Sequence, residues 1–213
     1  MSIDPADADL LLSTTRSVRK RLDFERPVER EVLLECLQLA VQAPTASNSQ
    51  TWRWMVVTDA DLRLKVADYY RAAALPYLGE SLAAAEEGGD ATQRRVYDSA
   101  VYLAENMEKA PALVIPCIAE DLSDKDQTGT IVALGSVVQA AWSFQLALRA
   151  RGLGSTWTTL HLRHAAEVAE LLGIPDGITQ VSLIPVAYTK GTDFKPAKRG
   201  PVSEITHWNH WGS

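Results

Sequence analysis

Cysteine is scarce in this 213-residue chain: Cys36 and Cys117 are the only two, and neither belongs to a Cys-x-x-Cys pair. A disulfide scaffold and a thiolate metal cluster are therefore excluded. Both cysteines fall in apolar patterns and read as buried, reduced thiols of a cytoplasmic protein. The four histidines form two i, i+3 pairs, His161/His164 and His207/His210. No third ligand accompanies either pair, so no metal site is expected. Positive charge is also short. With 21 basic against 27 acidic residues the net charge is -6, which argues against a general nucleic-acid binder. The opening "MSIDPADADL" lacks the apolar core of a signal peptide. No internal repeat or low-complexity linker divides the chain. Two motifs are missing as well. "GLGSTWTTLH" (152–161) lacks the third glycine and preceding strand of a dinucleotide fingerprint, and no G-x-S-x-G nucleophile elbow occurs.

Long apolar runs are limited to one. "IVALGSVVQAAWSFQLAL" (131–148) is uncharged over 18 residues, at the lower edge of the ~17–25 that span a membrane. It carries Ser136, Gln139, Ser143 and Gln145. It reads as the central helix of a large core or a dimer interface, and no membrane span is expected.

The rest of the chain alternates helices with a few strands. Residues 4–15 read as a helix. Pro27 opens a second, in which Val32, Leu33, Cys36, Leu37, Ala40 and Val41 recur at helical spacing, and Pro44 ends it. "PTASNSQTW" (44–52) is a polar loop and 53–58 a buried strand. A helix follows from Asp59, with a break at Glu86–Asp90 and a second helix over 92–109. Residues 111–119 form another strand, 120–129 a loop, 131–150 the apolar helix, 163–173 an amphipathic helix and 178–190 a third strand. This pattern predicts a single α+β domain over 1–213: a mixed central sheet flanked by helices. Residues 192–213 hold too much proline and glycine for a packed element and read as an arm.

Four stretches carry chemistry. "TTRSVRKR" (14–21) concentrates Arg16, Arg19, Lys20 and Arg21 in an acidic protein, and with Ser17 it offers what a phosphate needs: cationic forks and a hydroxyl donor. Taken alone, it also reads as a solvated basic face. "APTASNSQTW" (43–52) offers loop donors. The two glycines of "GLGSTWTTLH" allow a tight turn before an extended segment that can lie against a flat ring. "KPAKRGPVSEITHW" (195–208) adds Lys195, Lys198 and Arg199.

The order of these stretches resembles the FMN-dependent nitroreductase family over nearly the whole chain. The carrying residues are "RSVRKRLDFERPVEREVLLECLQLAVQAPTASNSQTWRWMVVTD" (16–59), supported by "ALRARGLGSTWTTLH" (147–161) and "KPAKRGPVSEITHW" (195–208). The resemblance implies an intertwined homodimer with FMN at the subunit interface, the apolar helix in the dimer core, and the arm laid on the partner with Trp208 and Trp211 as anchors. Carried over residue by residue, it assigns Arg16, Ser17 and Arg19 to the phosphate and ribityl chain. Pro44, Thr45, Ala46 and Asn48 line the flavin, usually from the other subunit. Trp157, Thr158, Thr159 and Leu160 lie along the ring, and Lys198 and Arg199 form a second phosphate clamp. Thr15 stands where many relatives have Arg, and Thr51 replaces a frequent Pro.

The implied activity is hydride transfer from NADH or NADPH through FMN to a nitroaromatic, quinone or related small acceptor by a ping-pong mechanism. No catalytic side chain is expected, since the cofactor carries the chemistry. Substrate choice is expected in 65–108, where Tyr69, Tyr70, Tyr77 and Tyr97 are available to stack or simply pack. A dehalogenase or flavin-cleaving enzyme, a non-catalytic flavin carrier and a cofactor-free structural dimer remain alternatives.

Overall fold

The structure is a computed structural model that describes residues 4–212. Met1–Ile3 and Ser213, the first residues of the chain and the last of the expected arm, lie outside the described residues. In chain order the helices are α1 (Pro5–Thr14), α2 (Arg30–Ala40), α3 (Ala60–Glu87), α4 (Ala91–Asn106), α5 (Gln127–Ala150) and α6 (Ala165–Leu172). The strands are β1 (Leu22–Asp23), β2 (Trp52–Val57), β3 (Ala112–Ile118), β4 (Leu153–Ser155), β5 (Thr179–Gln180) and β6 (Ile184–Thr189).

The strands form one sheet in the order β1-β6-β3-β2, with β4 beside β6 and β5 beside β3. These pairs are antiparallel, and an isolated parallel bridge, Ser17 to Ser155, lies outside the strands. Every residue of β3 is buried, as its unbroken apolar run requires of a strand covered on both faces.

Alternate residues of β3 serve opposite layers. Leu113, Ile115 and Cys117 pack with Tyr70, Leu78, Leu103 and Met107 beneath α3 and α4. Ala112 and Val114 pack with Leu33 and Cys36 of α2 and with Phe144 and Leu148 of α5. The result is three layers: a helical pair, the sheet, and α2 with α5. Both cysteines are free and buried, and burial pushes the Cys117 thiol up to about 12.

Two expected elements change. The strand read over 178–190 is broken. Cys117 pairs with Gln180 while Val114 pairs with Ile184, so three steps along β3 face four on the other side. That is a bulge, and it falls opposite Pro116, which has no N–H to donate. The loop read over 120–129 is shorter, because Asp126 caps α5 by accepting from the Gly129 N–H at 2.7 Å and starts the helix at Gln127. Elsewhere the chain follows its pattern: the break after α3 falls at Gly88 and Gly89, and Gly89 takes a φ of 68°.

His161, on the short helix Leu160–His164, is fully buried, and burial lowers its pKa from 6.5 to about 4. The folded state holds the neutral ring, so the unfolded chain takes up the proton first. The associated stability is present above pH 6.5 and is lost as pH falls from 6.5 to about 4. Urea unfolding should show a decline on the order of 3 kcal/mol across that window. In His161→Leu that part of the pH profile should flatten, whatever the variant does to stability at pH 7.

Candidate functional site

The basic stretch begins where α1 stops. Thr14 and Thr15 turn their hydroxyls back onto the Leu10 and Leu11 carbonyls at 2.7 and 2.6 Å, and the next residues leave the helix extended. They are held by β4: the Val18 N–H donates to the Ser155 carbonyl at 2.9 Å. Val18 turns into the core, while Arg16 and Ser17 stay exposed and Arg19 is half-buried.

Two glycines make this contact possible. Gly152 turns the chain out of α5 at a φ of 76°. Gly154 lies so close to its neighbours that a Cβ there would meet Thr189 Cγ2 at 2.7 Å, Val18 Cβ at 3.0 Å and Leu22 Cδ2 at 3.1 Å. From behind, Gln145 of α5 donates to the Ser155 hydroxyl at 3.1 Å.

A cleft of about 830 Å³ opens in front of this seam, within the ~300–1,000 Å³ of small-molecule sites. Arg16, Ser17 and Arg19 line it from the basic stretch. Val138, Trp142 and Gln145 line it from α5, Trp157 follows β4, and Pro196, Ala197 and Arg199 come from the C-terminal segment. Three arginines and no acid line it, although the chain as a whole carries a net charge of -6. The Arg16 guanidinium also donates to the Lys195 carbonyl at 3.1 Å, tying the C-terminal segment across the cleft. The chemistry is two-ended: cationic forks suited to a phosphate, and indole faces suited to a flat ring.

Arg19 lies deeper. Burial lowers its pKa, and its charge is felt by the Tyr70 phenol. It donates to Ser99 Oγ of α4 at 3.3 Å. Lys20 and Arg21 are committed elsewhere: Lys20 pairs with Asp98 of α4 at 2.6 Å. Arg21 pairs with Asp193 at 2.6 Å and lies over the Phe194 ring at 4.3 Å. These two cations dock α4 and the C-terminal segment.

Comparison with known proteins agrees with this geometry. The nitroreductase family model matches residues 12–188. The chain belongs to the nitroreductase family. A protein named as an NADH dehydrogenase/NAD(P)H nitroreductase in Archaeoglobus fulgidus is 24% identical, over 94% of this chain and 97% of its own length. Among solved structures, the FMN-dependent nitroreductase of Mycobacterium smegmatis in complex with NADPH superposes with a TM-score of 0.69 at 21% identity, covering 97% of this chain and 100% of that one. Iodotyrosine deiodinase bound to FMN and 3-iodo-L-tyrosine superposes at 0.70 with 23% identity, covering 94% and 98%. At these identities the two superpositions establish the shared fold.

Within this nitroreductase fold the expected site residues divide. Arg16, Ser17, Arg19, Trp157 and Arg199 converge on the cleft. Thr158 is buried behind it, bonded through both backbone groups to Leu183. Thr159 is exposed, and Leu160 packs against the core beneath α3. Lys198 is exposed, and its carbonyl accepts from Arg199 at 3.1 Å. Pro44, Thr45, Ala46 and Asn48 are not among the lining residues; the Ala46 N–H is tied to Ser136 Oγ of α5 at 3.2 Å. Val138, Trp142 and Gln145 were hidden in the apolar run. The buried amide of Gln145 was the available signal, since a polar side chain inside a core helix needs a partner.

Gly154→Ala should force Thr189 and Val18 apart and cost about 1–3 kcal/mol in urea unfolding. A substitution there without loss of stability would mean the seam yields easily.

Proposed function

We propose that the cleft holds FMN and that the protein is an NAD(P)H-dependent oxidoreductase reducing nitroaromatic, quinone or related small acceptors. The observation that carries this reading is the convergence of Arg16, Arg19 and Arg199 with Trp142 and Trp157 in one acid-free cleft. The donor set fits the cofactor: guanidinium forks and the Ser17 hydroxyl for the phosphate, apolar rings and a β-bridged backbone for the ring system. When bound, FMN supplies the two-electron hydride chemistry.

The chain's own residues bind, orient and exclude. Arg16 and Arg199, with Lys198 beside them, hold the phosphate at the C-terminal side. Ser17 and Arg19, which line the same cleft, reach the phosphate and the ribityl chain. The backbone of 157–160 is fixed beside the ring by the Thr158–Leu183 bridge. No side-chain acid or base is required. Donor and acceptor use one cleft in turn, which gives ping-pong kinetics.

The proposed assembly is a homodimer, supported by apolar surface left uncovered on a single chain. Ile131, Val132, Val138 and Trp142 of α5 are exposed, as are Leu10 and Leu12 of α1. In the C-terminal segment Trp208 and Trp211 are 74% and 91% exposed. Half of the apolar span of α5 is buried within the chain, and a second subunit accounts for the rest. The segment 192–213 then lies on the partner, and the loop of Pro44, Thr45, Ala46 and Asn48 serves the partner's cofactor.

Purified protein should be yellow. NADH or NADPH should bleach it anaerobically, and a nitroaromatic or quinone should restore the colour. Colourless protein, or bleaching by neither nicotinamide, overturns the reading. Arg16→Ala and Arg199→Ala should each weaken FMN retention by about 10–100-fold, as loss of a charge-assisted bond worth ~1.5–3 kcal/mol implies. Gel filtration of the same variants should show an unchanged assembly. Trp208→Glu with Trp211→Glu should shift the wild-type dimer toward monomer in sedimentation.

A further inference from the structure

Next to the cleft lies a second hollow of about 400 Å³. Arg16, Ser17 and Arg19 border both spaces. Lys20, Arg21, Asp193, Phe194 and Lys195 border the second alone, together with Ser99 of α4. Two ion pairs set its walls. Lys20 with Asp98 holds α4, and Arg21 with Asp193 holds the start of the C-terminal segment, each at 2.6 Å.

The charge around this hollow is lopsided. Its cations are Arg16, Arg19, Lys20, Arg21 and Lys195. The carboxylates beside them are Asp193 in the lining and Asp98 against Lys20. Positive charge is left in surplus, in a chain whose net charge is -6. Among the described residues no ion pair closes on Arg16, Arg19 or Lys195. Phe194 is the ring in the lining, and Arg21 and Arg149 already lie 4.3 and 4.9 Å from its centroid. The hollow is therefore built to recognise charge rather than to stack a base. A phosphomonoester suits it, with close to two negative charges and three acceptor oxygens.

We propose that this hollow is the subsite for the 2′-phosphate of NADPH, with Lys195 as the discriminating residue, and that the protein takes hydride from NADPH in preference to NADH. This rests on the FMN reading above. Under that reading Arg16 and Arg199 hold the single phosphate of FMN within the cleft, so the surplus charge next door serves another anion. The donor enters the same cleft, and the two nicotinamides differ in one group, the 2′-phosphate that NADH lacks. Lys195 borders the hollow and not the cleft. Its carbonyl, not its side chain, accepts from Arg16, so its ammonium is spent on neither.

The test is kcat/KM for NADPH and for NADH with the same quinone as acceptor, measured with the FMN content of each preparation. Wild-type protein should favour NADPH by about tenfold or more, the lower end for a charge-assisted bond. Lys195→Ala should cut kcat/KM for NADPH by about tenfold, chiefly through KM, and leave NADH within about twofold. Its FMN content should stay that of the wild type. Lys195→Arg should keep the preference, and Lys195→Glu should abolish it. Adenosine 2′,5′-bisphosphate should compete with NADPH, and adenosine 5′-monophosphate should do so about tenfold more weakly. A wild type that uses NADH as well as NADPH overturns the assignment. So does an equal loss for both donors in Lys195→Ala, or a loss of FMN from that variant, which would give the hollow to the phosphate of FMN. Oxidation of neither nicotinamide by the wild type overturns the functional reading instead, and is seen before any variant is made.

Discussion

One backbone hydrogen bond, from the Val18 N–H to the Ser155 carbonyl, fixes the position of everything chemically distinctive in this molecule. It fastens the basic stretch to β4, and β4 is paired in turn to β6 at the heart of the sheet. The bond is reachable because Gly154 has no side chain where Val18, Leu22 and Thr189 crowd it. It is braced because Gln145 reaches across from α5 to the Ser155 hydroxyl. Arg16 and Arg19 are therefore not loop residues waiting for a ligand to order them. Their backbone is an extra rung of the sheet, so the ordering cost is met during folding rather than at binding.

The electrostatics follow from that placement. In an acidic chain, cations gathered in one place draw acids, and those acids would cancel them. Here the cancellation is selective. Lys20 and Arg21 are matched by Asp98 and Asp193 and serve to dock neighbouring segments. Arg16 and Arg19 are held by a carbonyl and by a hydroxyl, which restrict the side chain without removing its field. A cation kept in this state strongly favours an anionic ligand, and it does so most where water is excluded. Half-buried Arg19 is the deeper of the two, and its depressed pKa records the desolvation that this arrangement costs.

Much of this was legible in the sequence because it rests on local rules. The prolines and glycines punctuate the helices, the continuous run in 112–118 marks the central strand, and the charge cluster at 16–21 stands out against the net charge. What escaped depends on distance in space. The strand read over 178–190 is interrupted by a register shift that only its partner, through Pro116, imposes. Trp142 and Val138 looked like core residues because helical periodicity tells which residues share a face, not what that face meets. Tyr70 bore out the packing reading and is 3% exposed in the core beneath α3. The loop at 44–48 was read with the cleft but sits on α5, where the Ala46 N–H meets the Ser136 hydroxyl, a contact between residues 90 positions apart.

The helical pair α3–α4 has a double attachment. It covers the sheet through Tyr70, Leu78 and Leu103, and it also touches the basic stretch directly through Ser99 and Asp98. Solved structures that share this fold at about 20% identity carry names that range from nitroreductase to deiodinase, so the fold alone does not fix the acceptor. Here the Arg19–Ser99 hydrogen bond and the Lys20–Asp98 ion pair both fasten α4 to the basic stretch, so a substitution that shifts α4 also shifts the groups those two cations lean on.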